Sequence, residues 1–125
     1  MEKFIENNIF TDLISREEFT GLFSLSEKPE QWFTPKELQS FGMKKLSGSL
    51  AARYLVKKRI GNTLGTDAYA LEMEILNDPY GKPTVDFSKT LRVVLEKAGI
   101  QSVQCSLSHS RNYITSLTVI ICDGF

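Results

Sequence analysis

The chain has 125 residues, 42% of them hydrophobic, and its fifteen Lys and Arg balance fifteen Asp and Glu. That length supports one domain with a genuine core, spanning residues 1–125, and excludes two; zero formal charge excludes a global field that would gather nucleic acid or an anionic membrane, so any anion site must be local. No stretch approaches the roughly eighteen apolar residues of a membrane span, and Cys105 and Cys122 form neither a CxxC pair nor a zinc spacing, so buried free thiols are expected.

The opening "MEKFIENNIF" has no apolar run between a basic start and a small-residue cleavage site, which predicts a cytoplasmic protein. "NIFTDLIS" predicts a short strand with Asp12 at its end, and Ser15 with Glu18 forms a capping box opening a helix over "REEFTGLFSL". "TPKELQSF" begins a second helix, with Thr34 as N-cap, Pro35 at the first helical position and Glu37 three residues after the cap. A long helix follows from about Ser47 to Leu64, stopped by Gly65. Within it, "LAARYLVKKRI" puts Arg53 and Lys57 one turn apart on the apolar face of Leu50, Ile60 and Leu64, with Lys58 and Arg59 beside them. Charges on such a face cost free energy unless paired or reaching water. Two readings stand: long side chains snorkelling from a core helix, or a helix built to hold anionic groups.

"YALEMEIL" alternates, with Tyr69, Leu71, Met73 and Ile75 on one side and Glu72 and Glu74 on the other, which predicts a half-buried strand. "NDPYGK" is its turn and "PTVDF" the returning strand. Ser88 caps "KTLRVVLEKAG", whose stripe of Leu91, Val94, Leu95 and Ala98 ends at Gly99. "SVQCSLS" alternates Val103, Cys105 and Leu107 with small polar residues, and "ITSLTVIIC" has the apolar composition of a central strand. Tight turns and short connections predict an α+β domain, a largely antiparallel sheet packed on helices.

Four spots carry candidate chemistry: Asp12, the cationic helix, "YGKP" at 80–83 and "SLSHS" at 106–110. Each has an ordinary alternative. A strand-end aspartate is more often a cap than a metal ligand, and Lys82 more often a solvated loop tip. His109 is most simply a hydrogen-bonded loop histidine, although the hydroxyls of Ser106, Ser108 and Ser110 suit a phosphate.

The order of the pieces changes those odds. "FTDLIS" (10–15), "FTPKEL" (33–38), "AARYLVKKRIGNTLG" (51–65), "LEMEILNDPYGKP" (71–83) and "CSLSHSRNY" (105–113) run collinearly over most of the chain. This arrangement resembles the holo-acyl-carrier-protein synthases, small members of the 4′-phosphopantetheinyl transferase superfamily. The resemblance implies a transferase that moves phosphopantetheine from coenzyme A to a serine of an acyl carrier protein, releasing 3′,5′-ADP, with fatty acid biosynthesis among the pathways served. It implies magnesium, and a homotrimer with coenzyme A bound between subunits. By the same resemblance Asp12 holds the metal, Asp12, Lys57 and Lys58 sit at the catalytic positions, and Arg53, Lys57, Lys82, Ser108 and His109 line the coenzyme.

One position departs from the pattern. Where the family has a glutamate completing the metal site, this chain has Lys58, and Asn62 stands where a lysine is common. Protonated lysine does not ligate magnesium. Either the Lys58 ammonium takes over the metal's charge, or the protein binds coenzyme A or carrier protein without efficient transfer. A nucleic-acid partner is disfavoured, because "KKR" is a short basic run on a neutral chain without glycine-flanked aromatics.

Overall fold

In the computed structural model, which describes residues 7–42 and 47–123, the described part opens with the strand β1 (Asn7–Ser15). Residues 1–6, on which the expectation about a leader partly rests, lie outside the described part. Ser15 ends the strand and caps α1 (Arg16–Leu25): its hydroxyl accepts from the Glu18 amide while the Glu18 carboxylate accepts from the Ser15 amide. Phe19 and Phe23, one turn apart, form the buried face of α1. A four-residue helix that the sequence pattern does not announce, α2 (Pro29–Trp32), then inserts Trp32, whose indole N–H donates to Glu27. Next comes α3 (Pro35–Phe41), begun by Thr34 and Glu37 as expected.

The long helix is α4 (Gly48–Leu64), capped by Ser47 and ended by Gly65 at φ 81°, a left-handed conformation that glycine adopts freely. The helix does not have the single dry face expected of it. Every residue from Leu50 to Lys57 is buried, because α4 runs between the sheet on one side and the helices and β2 region on the other. It therefore feeds two cores. Tyr54 packs with Phe19, Phe23 and Trp32 at ring separations of 4.8–5.8 Å, whereas Val56 and Ile60 pack with Met73, Ile75, Leu91 and Ile120.

The strand expected over "YALEMEIL" is shorter than its alternation suggests. A 3₁₀ turn occupies Ala70–Glu72, closed by the Glu72 amide on the Tyr69 carbonyl, and turns Leu71 out to 46% exposure. Strand β2 (Met73–Asn77) begins after it, with Met73 and Ile75 buried, and pairs antiparallel with β3 (Pro83–Phe87). Ser88 caps α5 (Lys89–Lys97), which buries Leu91 and Leu95 and leaves Val94 half-buried and Ala98 exposed beyond its end. Strands β4 (Ile100–His109) and β5 (Tyr113–Cys122) complete a three-stranded antiparallel sheet in the order β1-β5-β4, with the apolar β5 central as expected. The fold is thus α+β with antiparallel sheets. Asp12 lies within β1 opposite Ser116, not at its end; both cysteines are free, Cys105 buried and Cys122 half-buried.

The turn after α4 closes tightly over Gly61, where an added Cβ would stand 2.5 Å from Asp67 Oδ1 and 2.9 Å from the Thr66 carbonyl oxygen. Gly61→Ala is expected to destabilise by about 1–3 kcal/mol, since backbone must shift to make room. Gly21→Ala in α1 meets no atom within 4 Å and is expected to gain up to about 1 kcal/mol. Urea unfolding of the two variants beside the parent reads the opposite signs.

Candidate functional site

Arg53 projects from α4 toward the end of β2. It is 3% exposed; Nε donates to the Ile75 carbonyl at 2.7 Å, Nη1 to the Ser49 carbonyl at 3.1 Å and Nη2 to Asn77 Oδ1 at 3.0 Å. The Phe41 ring lies 3.6 Å from the guanidinium carbon. Burial lowers the Arg53 pKa and the charge of Glu37 opposes that, but a guanidinium keeps its proton in either case. Three of its five N–H groups are used, and a cleft of about 160 Å³ opens beside it. Ser49, Asn77, Gly81, Pro83 and His109 share the lining with Arg53.

The cleft thus gathers three of the segments that sequence marked as candidates. Asp78 holds the β2–β3 turn, its carboxylate accepting from the amides of Tyr80 and Lys82, with Gly81 at φ 86°. Lys82 is exposed on this turn, next to two lining residues. His109, the last residue of β4, reaches the start of α4 only because residue 48 is glycine: an added Cβ would lie 2.9 Å from the imidazole Cγ and Nδ1 and 3.0 Å from Arg16 Nη2. Arg16 in turn donates to the carbonyls of Arg111 and Ser110 at 2.9 and 3.0 Å, tying α1 to the β4–β5 turn. Ser108 is exposed on the opposite face of the sheet, since successive strand residues alternate sides.

The remaining candidates go elsewhere. Lys57 is buried, and its ammonium donates to the Trp32 carbonyl at 2.7 Å, the Ala70 carbonyl at 2.9 Å and Glu37 Oε1 at 2.6 Å. All three donors are taken inside the fold. Burial lowers its pKa, and the adjacent Glu37 carboxylate raises it. Glu37 also accepts from the amides of Thr34 and Ile75, so one carboxylate caps α3, pairs with α4 and anchors β2. Lys58 pairs with Asp67 at 2.6 Å near the surface, and that hydrogen bond raises its pKa. The cation on Asp12 is Arg59: Nε donates to Oδ2 at 3.0 Å and Nη2 to Oδ1 at 2.5 Å, with the guanidinium carbon 4.5 Å from the Phe10 ring centroid. The hydrogen bond to Asp12 raises the Arg59 pKa.

Glu37, Gly48 and Arg59 are the site residues that sequence reasoning did not assign. Arg59 was visible as a charge beside Lys58, but nothing local tied it to a residue 47 positions earlier. A magnesium ion does not fit the residues present. Arg59 occupies both Asp12 oxygens, and among the described residues no three His, Cys, Asp or Glu side chains come together. A wider, open cleft of about 690 Å³ lies between α1 and the β4–β5 turn, lined in part by Arg16, Thr20, Arg111 and Tyr113, and contains none of the candidates.

No protein-family model matches the chain. The holo-acyl-carrier-protein synthase of Fusobacterium nucleatum is 30% identical to it over 120 residues, covering 90% of this chain and 97% of that protein. Among solved structures, the holo-acyl-carrier-protein synthase of Neisseria meningitidis superposes with a TM-score of 0.73 at 26% identity, covering 90% of this chain and 95% of that one. That of Helicobacter pylori, in complex with coenzyme A, shares the fold with a TM-score of 0.69 at 21% identity, covering 90% and 99% of the two chains.

Lys57→Met is expected to cost about 3–5 kcal/mol in urea unfolding by leaving the Glu37 charge buried and alone, and Lys57→Met with Glu37→Leu to recover part of the loss. Cys105 gives a pH signature. Burial pushes its thiol from 9.0 up to about 11, so above pH 9 the unfolded chain ionises first. Its contribution is intact below pH 9 and lost as pH rises toward about 11. Stability measured across that window should fall in the parent and fall less in Cys105→Ala.

Proposed function

The chain belongs to the holo-acyl-carrier-protein synthase family, and from that premise we propose that it transfers 4′-phosphopantetheine from coenzyme A to a serine hydroxyl of an acyl carrier protein. The serine oxygen bonds to the phosphorus of the pantetheine phosphate, the pyrophosphate bond breaks, 3′,5′-ADP leaves and the hydroxyl proton is released. The observation that carries the reading is the cleft at Arg53, where α4, the β2–β3 turn and the end of β4 converge from distant parts of the sequence. Arg53 supplies a fixed cation with two N–H groups that meet no acceptor among the described residues, and Lys82 an exposed one on the turn, so each can meet a phosphate of the nucleotide. His109 stands at the same mouth as a donor.

Lys57 serves this site at one remove. It holds Glu37, Glu37 holds the Ile75 amide, and the Ile75 carbonyl holds Arg53, which makes Lys57 a positioning residue.

A cleft of about 160 Å³ is smaller than the roughly 300 Å³ at which small-molecule pockets begin, which favours completion by a second copy. The outer face of the three-stranded sheet supports the same idea. Its exposed residues include Ile9, Thr11 and Leu13 on β1, Leu117 on β5, and Ser106 and Ser108 on β4, none of them charged. We place the homotrimer interface on this face, which brings Ser108 to a coenzyme bound between subunits. Among the described residues no helix is long and apolar enough to cross a membrane, and the soluble coenzyme and carrier point to the cytoplasm.

The deciding experiment incubates the protein with coenzyme A and an apo acyl carrier protein of fatty acid biosynthesis and weighs the carrier. A gain of one phosphopantetheine is expected; a stable complex with no gain would leave a binding protein and overturn the transferase. Coenzyme A is expected to raise the melting temperature, and Arg53→Ala to weaken its binding by about tenfold or more.

A further inference from the structure

Charge on the bridging oxygens of a pyrophosphate must be neutralised for displacement, and the residues around Asp12 do not form a magnesium site. We propose that Arg59 is the built-in anion clamp of this protein, its guanidinium fixed by Asp12 and facing a substrate phosphate in the role of a divalent ion. The inference rests on the reading of the chain as a coenzyme A-dependent transferase.

The geometry assigns each edge of the guanidinium. Nε and Nη2 form the edge that grips the two Asp12 oxygens. The Phe10 ring centroid lies 4.5 Å from the guanidinium carbon, within cation–π distance. What remains is the outer edge, both N–H groups of Nη1 and the second of Nη2, which meet no acceptor among the described residues. That edge matches two oxygens of a phosphate in the same forked geometry as it does a carboxylate. The side chain is 27% exposed, so a ligand can reach it, while Asp12 at 19% is sheltered and holds its partner in place.

Net charge follows the same logic. A divalent ion between two carboxylates and one guanidinium on one carboxylate are both neutral units with positive charge turned outward. Lys58 takes no part, because its ammonium is held by Asp67 at 2.6 Å. The cation that stands in for the ion is therefore the neighbour of the residue occupying the family's glutamate position.

The test is titration of the full chain with coenzyme A, in chelator and in millimolar magnesium, for the parent, Arg59→Gln and Arg59→Lys. Folding is followed by circular dichroism, and manganese binding by electron paramagnetic resonance. The parent is expected to bind coenzyme A with less than about twofold difference between the two conditions and to leave the free manganese signal unchanged with coenzyme present. Arg59→Gln should lose about tenfold or more in affinity, and Arg59→Lys, which keeps the charge without the fork, should fall between. Should Arg59→Gln fail to fold, Arg59→Lys decides: parental affinity there refutes the clamp.

The clamp is equally overturned if folded Arg59→Gln binds as the parent does, or if the parent takes up one manganese ion per chain together with coenzyme A. Coenzyme binding that requires a divalent ion defeats the clamp alone. No binding by the parent under either condition defeats the transferase reading and the clamp with it.

Discussion

A buried ion pair holds the chain in register. Lys57 and Glu37 are both fully removed from solvent, a state that costs several kcal/mol per ion unless every donor and acceptor is matched. Here they are matched. The ammonium meets a carboxylate and two carbonyls, and the carboxylate receives the ammonium and two amides. The six hydrogen-bonded groups belong to α2, α3 and its cap, α4, the 3₁₀ turn and β2, so segments from Trp32 to Ile75 are located by one charge pair. Apolar packing would bring these segments together with little preference for angle. The pair makes misplacement by an ångström expensive, and passes that precision through Ile75 to Arg53.

The four cations of α4 show how one helix serves several environments. Each residue advances about 100° around the axis, so Arg53 and Lys57 point close to one direction while Lys58 and Arg59 fan away from it. Arg53 reaches β2, Lys57 the core, Lys58 the turn at Asp67, and Arg59 β1. Neither simple account of a cationic core helix is sufficient. Two of the charges reach partly exposed carboxylates at the rim, one is part of the internal framework, and one stands at the border of a cleft. The helix is polar inside because its two buried charges, Arg53 and Lys57, have their partners there.

What could be read from the sequence was local. Ser15 with Glu18, Thr34 with Glu37, Ser88 and Gly65 mark helix ends through hydrogen bonds spanning three or four residues, and all four stand where their composition put them. Alternation identified β4, apolar β-rich composition identified β5, and collinear motifs identified the family. The short helix at Pro29–Trp32 has one turn, too little for a periodic signal, and the 3₁₀ turn hid inside an alternation that continued through it. Glu37 was legible as a capping residue and illegible as the partner of Lys57, because a capping box uses only part of a carboxylate's acceptor capacity. Asp12 with Arg59 joins a strand to a helix 47 residues later, and no local rule reports such a match.

The central place of β5 has a consequence for assembly of the chain. Strands β1 and β4 never pair with each other; both hydrogen-bond to β5, the last element of the described chain. Asn7 faces Ile121 across that pairing, so the first strand waits for nearly the whole sequence before it finds a neighbour. During synthesis β1 must remain an unpaired strand while α4 and the β2–β3 hairpin are already available, and the sheet closes late, by long-range contacts of the kind that slow folding. Residues of β5 such as Ile114 and Ile120 thus complete the core and also time it, since a ribosome that stalls before them leaves two strand edges open to other chains.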